Sequence, residues 1–345
     1  VLAAAIYGAG DLRLGDWPEP VPGHGEVLVR LRRGGICGSD LAYYRKGAVG
    51  DFALREPLVL GHEVAGEIEA VGDGVAGLAV GQRVAVDPSR PCLGCANCRR
   101  GRSNLCSAMR FFGSAAVFPH VAGGFSEVFS CRADQCHVIP DSMEYGVAAM
   151  AEPLAVALHG IARAGTLVRQ RVLVTGAGPI GMLVLLAARR AGAAFVAMTD
   201  LVEQPLALAR QLGADAGLDL SRDPDALKPF EADGGYFDVA LEATGSPAAL
   251  AGVFKAVRAG GRVVQLGMMP GGDTPVPVNR LMAREIDFVG AFRFAGEFAV
   301  GVDYLARGLI DVRPLISRTL PMTELEPAFQ LAGDRRQAIK VHLQF

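Results

Sequence analysis

The sequence predicts a two-domain α/β chain: a β-rich domain joined to a doubly wound parallel sheet. Three observations predict it. The 345 residues exceed what one hydrophobic core usually serves. The early segments carry apolar residues at strand period, punctuated by Gly and Pro. From Arg171 onward, strand-like and helix-like segments alternate, the pattern of a parallel sheet wrapped by helices.

The elements follow in chain order. "GEVLVRLRRGGIC" alternates Val27, Val29 and Leu31, as a half-buried strand does. "VAGEIEAVG", "QRVAVDP" and "GGFSEVFSC" continue in that style. A helical stretch, Glu144–Gly165, closes this part. Then "RVLVTGAG" is a strand running into a Gly-rich turn. "PIGMLVLLAARRAG" is a helix with Pro179 near its start and Gly192 after its end. "AFVAMTD" reads as strand, "EQPLALARQLGAD" as helix, "FDVALEATG" as strand, "SPAALAGVFKAVRAGG" as helix and "RVVQLG" as strand. The tail "AIKVHLQF" is a last strand that returns to the first domain. The expected boundaries are 1–150 with 296–345 for the first domain and 151–295 for the second.

Charge narrows the function classes. Lys+Arg is 34 and Asp+Glu is 36, a net charge of −2. No basic field exists to attract nucleic acid or anionic lipid. The longest apolar stretch, "PIGMLVLLAA", is too short to span a bilayer and ends at Arg189 and Arg190. The first residues lack a basic leader. The expectation is a soluble, cytoplasmic enzyme. Seven cysteines are an odd count for a secreted disulfide framework.

"GAGPIG" matches G-x-G-x-x-G, with Gly176, Pro179, Ile180 and Gly181 around Gly178. Alone the match is weak. Here a strand precedes it, a helix follows, and Asp200 ends the next strand, 19 residues beyond Gly181. Gly176 permits the tight turn, Gly178 admits the pyrophosphate, and Gly181 lets helix and strand pack closely. The helix N-terminus offers N–H groups to phosphate. Asp200 should accept hydrogen bonds from the adenosine ribose hydroxyls and repel a 2′-phosphate, favouring NAD over NADP.

Cys92, Cys95, Cys98 and Cys106 sit in "PCLGCANCRRGRSNLC", spaced C-x2-C-x2-C-x7-C. Four thiolates so placed can converge on one tetrahedral Zn²⁺. Disulfides within so short a loop are cramped. A closed four-thiolate site has no open position for chemistry. Candidates for a second, open site are Cys37, His62, Glu63 and Glu152, all of zinc-ligand type. Taken singly, each also reads as a core, turn or capping residue.

Together "GGICGSD", "GHEVAGEI", the cysteine loop, "EPLAVALHG", "GAGPIG", "EATG" and "GGRVVQLG" resemble the zinc-dependent medium-chain dehydrogenase/reductase family, its polyol dehydrogenase branch in particular. The resemblance covers almost the whole chain. It implies a GroES-like catalytic domain and a Rossmann NAD-binding domain. It implies two zincs per chain, one structural on the four loop cysteines, one catalytic at Cys37, His62 and Glu63, with Glu152 a ligand or water partner. A charge count suggests that Glu63 and Glu152 do not both bind tightly at once. The resemblance also implies reversible oxidation of a secondary alcohol in a sugar acid or polyol, and a homodimer or homotetramer.

Ser39 matches the family's hydroxyl that takes the alcohol proton; as a bare sequence feature it reads equally as a turn cap. Ala42 stands where relatives often carry a relay His, so water or Tyr43 must complete the exit. Arg293 in "GAFRF" resembles an Arg near the cofactor pyrophosphate. A sugar-acid carboxylate favours a cation in its pocket. Arg110 in "MRFF" is the candidate, with His120 second.

Overall fold

The computed structural model describes residues 1–345 and divides into two compact units. The first comprises Val1–Glu152, Phe298–Asp334 and Lys340–Phe345. The second comprises Pro153–Glu297 and Arg335–Ile339. The short segment Arg335–Ile339, expected in the first domain, thus groups with the second unit.

The first unit is built on strand Glu26–Gly35. Val27, Val29 and Leu31 are buried, as the period-two pattern requires. One edge pairs antiparallel with Glu63–Val71, which continues to Arg83–Val86 and Cys136–Val138. The other edge is shared. Val128–Arg132 pairs with residues 26–30, and the final strand Lys340–Gln344 pairs with residues 33–35. This pairing returns the C-terminus to the first unit and sets Lys340 beside the start of Glu63–Val71. Strand Ile316–Pro321 completes the sheet. A smaller sheet joins Leu2–Gly8 to Asp11–Asp16 and Leu58–Val59.

The second unit holds six strands, all pairing in parallel. Their order is Ala216–Asp219, Phe195–Asp200, Arg171–Thr175, Phe237–Glu242, Val257–Gln265, Asp287–Gly290. The sequence direction reverses between Arg171–Thr175 and Phe237–Glu242. That switch point is where open α/β sheets bind ligands. Leu173, Ala197, Phe237, Ala240, Phe254 and Val263 are among the buried residues of its core. The central strands are apolar almost continuously because helices cover both faces.

One boundary differs from expectation. The helix Pro247–Ala256 stops before "VRAGG", which opens the strand Val257–Gln265. Val257 pairs with Phe237 across the sheet, and that tertiary pairing overrides the local helical pattern.

Candidate functional site

Cys37 caps the N-terminus of helix Gly38–Lys46. Its backbone N–H donates to Asp40 Oδ2 at 2.9 Å. Asp40 is 0% exposed. Its Oδ1 accepts from the Gly61 N–H at 3.3 Å and lies 3.9 Å from His62 Nδ1. Asp40 therefore clamps the turn carrying Cys37 to the segment carrying His62.

Glu63 opens its strand directly opposite Gly35. A Cβ at Gly35 would lie 2.1 Å from Glu63 Oε2, so the carboxylate requires glycine there. Lys340 Nζ donates to Glu63 Oε1 at 2.7 Å and Oε2 at 2.6 Å, and to the Ile36 carbonyl at 3.1 Å. All three ammonium protons are thereby engaged. The pair is buried, with side-chain exposures of 2% and 1%.

Ligand atoms of Cys37, His62 and Glu63 all lie within 4.8 Å of one another. His62 Nδ1 is buried without a hydrogen-bond partner. A thiol, an imidazole and a carboxylate converging in this way suit Zn²⁺. Burial alone would depress the His62 pKa, but the Cys37 and Asp40 charges outweigh it and raise it well above the ordinary value. Glu152 is also buried. Burial raises its pKa to about 8, against the opposing pull of His62. Glu152 is not part of the tight group, which favours Glu63 as the nearer carboxylate.

Lys340 alters the expected charge balance. Its ammonium cancels one carboxylate. With Zn²⁺ and a Cys37 thiolate, a second ionised carboxylate would then leave the site one unit less negative than the count without Lys340.

The second cluster is the cysteine loop. The four sulfurs of Cys92, Cys95, Cys98 and Cys106 also lie within 4.8 Å of one another, and no disulfide joins them. The loop wraps them with its own backbone. Cys92 N–H and Ala108 N–H both donate to Cys106 Sγ, at 3.2 and 3.4 Å. Asn97 Nδ2 closes the turn on the Leu105 carbonyl at 2.6 Å. The Cys98 N–H draws the Cys95 pKa down to about 5, while burial pushes Cys98 up to about 12. A cation at the centre of the four sulfurs would favour the thiolate at each.

The Gly-rich turn follows strand Arg171–Thr175 at the switch point. Gly176 has φ +88°, open to glycine. A Cβ at Gly181 would sit 1.8 Å from the Gly176 carbonyl oxygen. A Cβ at Gly178 would meet nothing within 4 Å, which leaves room for a ligand's approach. Gly178 caps helix Pro179–Arg190, with Pro179 in its first turn and Ile180 beside it. These features fit a pyrophosphate seat.

The two halves of the chain match separate family models. Residues 23–141 match the alcohol dehydrogenase GroES-like domain, and residues 179–307 match the zinc-binding dehydrogenase model. L-idonate 5-dehydrogenase (NAD(P)(+)) of Escherichia coli is 43% identical over 92% of each chain. The chain belongs to the zinc-dependent medium-chain dehydrogenase family. Human sorbitol dehydrogenase, another relative, is 37% identical over 95% of this chain and 92% of its own. The crystal structure of the Escherichia coli L-idonate 5-dehydrogenase superposes with a TM-score of 0.92 at 40% identity, covering 100% of this chain and 98% of that one. As a member of this family, the chain is a zinc-containing, nicotinamide-dependent oxidoreductase with GroES-like and Rossmann domains.

Other expected residues lie as follows in this dehydrogenase. Ser39 is half-buried in the first turn of Gly38–Lys46, two residues from Cys37. Tyr43 is buried, and its hydroxyl accepts from the Ala115 N–H at 2.9 Å. That bond anchors the loop after the cysteines. Arg293 lies with its guanidinium 4.9 Å from the Phe292 ring centroid.

The two candidates for a substrate carboxylate lie as follows. Arg110 is exposed on the short strand Arg110–Phe111, while the Phe111 ring packs 5.6 Å from the His62 ring. Neighbouring strand residues face opposite ways, so Arg110 points away from the metal cluster. His120 Nε2 accepts from the Arg55 N–H at 2.9 Å, and Nδ1 bonds the Val117 carbonyl at 2.8 Å. Both ring nitrogens serve the backbone, so His120 braces a loop and has no free donor for a carboxylate.

Asp200 also differs from the simple expectation. Its carboxylate accepts from the N–H groups of Ala177, Leu201 and Val202, at 2.7, 2.6 and 3.0 Å. It also bonds the Arg335 guanidinium.

Sequence reasoning assigned no roles to Asp40, Lys340 and Arg335. Two had signals. Asp40 stands three residues after a helix-capping Cys, a capping-box position. Lys340 is a cation inside an apolar strand, and a buried Lys demands an acid. Arg335 had none.

Proposed function

We propose that this dehydrogenase oxidises the C5 hydroxyl of L-idonate to the ketone with NAD, reversibly. The observation that carries the reading is the convergent Cys37–His62–Glu63 group, in a chain 43% identical to an L-idonate 5-dehydrogenase. When bound, Zn²⁺ would polarise the alcohol oxygen and NAD would accept the hydride. Cys37, His62 and Glu63 would hold that zinc, with Glu152 close by. Cys92, Cys95, Cys98 and Cys106 would hold a second zinc that maintains the loop. Gly176, Gly178, Pro179, Ile180 and Gly181 would seat the pyrophosphate, with Arg293 a further cation for it.

The chain's own groups then divide the work. Asp40 fixes the relative position of Cys37 and His62. Lys340 holds the Glu63 carboxylate in one orientation by gripping both oxygens. Ser39 Oγ accepts the alcohol proton and passes it outward. Ala42 offers no acceptor, so water or the Tyr43 hydroxyl, whose oxygen accepts from the Ala115 N–H, carries the proton from Ser39. Homo-oligomer formation belongs to the same reading. Phe288 on the edge strand Asp287–Gly290 is exposed, as are Met282 and Phe292 nearby, and these support it.

A panel of sugar acids and polyols, followed by NADH absorbance, tests the reading. kcat/KM for L-idonate should exceed that for sorbitol on the order of tenfold or more. Preference for sorbitol would instead assign the chain to polyol oxidation. Metal analysis should find about two zincs per chain.

A further inference from the structure

Asp200 is the residue that the dinucleotide fingerprint assigns to the adenosine ribose. An ionised carboxylate has about four acceptor positions. At Asp200 Oδ1 takes the Leu201 and Val202 N–H groups, and Oδ2 takes the Ala177 N–H and the Arg335 guanidinium. Three of these donors are backbone and belong to the fold. The fourth is a side chain from a segment 135 residues away in sequence. Asp200 is 2% exposed at its side chain and Arg335 45%. Of the four partners, Arg335 is therefore the one that can leave.

We propose that Arg335 forms a subsite for the adenosine 2′-substituent, so that this chain takes NADP as well as NAD. The inference rests on the dehydrogenase reading above. A bare Asp200 would accept from a ribose 2′-hydroxyl and repel a 2′-phosphate. Arg335 reverses both effects. It competes with the hydroxyl for the carboxylate, and it neutralises the charge that would repel phosphate. Its planar fork has donors to spare for phosphate oxygens while one N–H stays on Asp200. Arg335 thus weakens NAD binding slightly and strengthens NADP binding. A merely structural arginine would not act with opposite sign on the two cofactors.

The test is direct binding of NAD, NADP and their reduced forms to zinc-loaded protein, by calorimetry or by fluorescence of the reduced nicotinamide. Wild type should bind both. Arg335→Ala should raise the Kd for NADP on the order of tenfold, through loss of a charge-assisted contact. The Kd for NAD should stay level or fall. Arg335→Lys should retain part of the NADP affinity, and added salt should weaken NADP binding more in wild type than in Arg335→Ala. Equal changes for both cofactors, no change for either, or a wild type that binds NAD without NADP would overturn the inference and leave the dehydrogenase reading standing. A wild type that binds neither dinucleotide would overturn both.

Discussion

Lys340 and Glu63 form a buried ion pair whose partners lie 277 residues apart. Removing one member of such a pair leaves an uncompensated charge, typically at a cost of about 3–5 kcal/mol. Lys340→Met should therefore lower the melting temperature. The loss should be larger in zinc-free protein than in zinc-loaded protein, because bound metal gives Glu63 another positive partner. Calorimetry with and without chelator checks this; equal losses would mean that Glu63 does not meet the metal. Cys37→Ala makes the complementary prediction. Turnover should vanish, zinc content should fall from about two to about one per chain, and the far-UV circular dichroism should stay unchanged. At this scale, short motifs were readable and long-range partners were not. Cys37, His62 and Glu63 were legible only through the family resemblance of the motifs that carry them, since each alone reads as a core, turn or capping residue. Asp40 has a capping-box position in sequence, but its contacts with Gly61 and His62 arise only once those residues fold against it. The exposure of Arg110 and the backbone partners of His120 are not written in residue type.

The two local elements, the cysteine loop and the Gly-rich turn, were legible because their chemistry is contained in short runs. The turn can be tested glycine by glycine. Gly178→Val should leave the fold intact, since a Cβ there meets nothing within 4 Å, yet it should abolish dinucleotide binding by filling the space for the pyrophosphate. Gly181→Ala should behave differently, since its Cβ falls 1.8 Å from the Gly176 carbonyl oxygen. That variant should be destabilised before any ligand is considered. If both variants lose stability equally, the assignment of Gly178 to ligand approach fails. In the loop, Cys98→Ala should remove the other zinc and lower thermal stability, while folded chains retain activity per catalytic zinc. Short elements were harder to read. The strand Ala216–Asp219 is only half-buried and carries little apolar signal. The strand Val257–Gln265 begins inside a segment of helical pattern because its pairing with Phe237–Glu242 decides the conformation.

The two-unit division was expected from length and from the change of period, and its discontinuity from reading the tail as a strand of the first domain. What the sequence did not carry is that strand's partner, since the pairing of His342 with Gly35 depends on the whole fold. That pairing has a consequence for acid stability. His342 is 0% exposed, and neither ring nitrogen has a partner. Burial depresses its pKa to about 3, with Lys340 and Arg33 adding to the effect. Its folded value lies below the unfolded value near 6.5. Above pH 6.5 both states are neutral and His342 contributes no pH dependence. As pH falls below 6.5 the unfolded chain takes up a proton that the folded chain refuses, so stability is lost until about pH 3. From pH 6.5 to 5 the loss is about 2 kcal/mol. Asp87 works in the opposite direction. Burial raises its pKa to about 6, so between about pH 6 and 4 the folded chain binds a proton that the unfolded chain does not. In wild type the two slopes largely cancel across that window. His342→Leu removes one of them and keeps a similar volume. Its melting temperature relative to wild type should therefore rise as pH is lowered from 7 to 5, measured by calorimetry at fixed ionic strength. A constant difference between the two proteins across that range would show that His342 takes up its proton in the folded state and is not held neutral by the sheet.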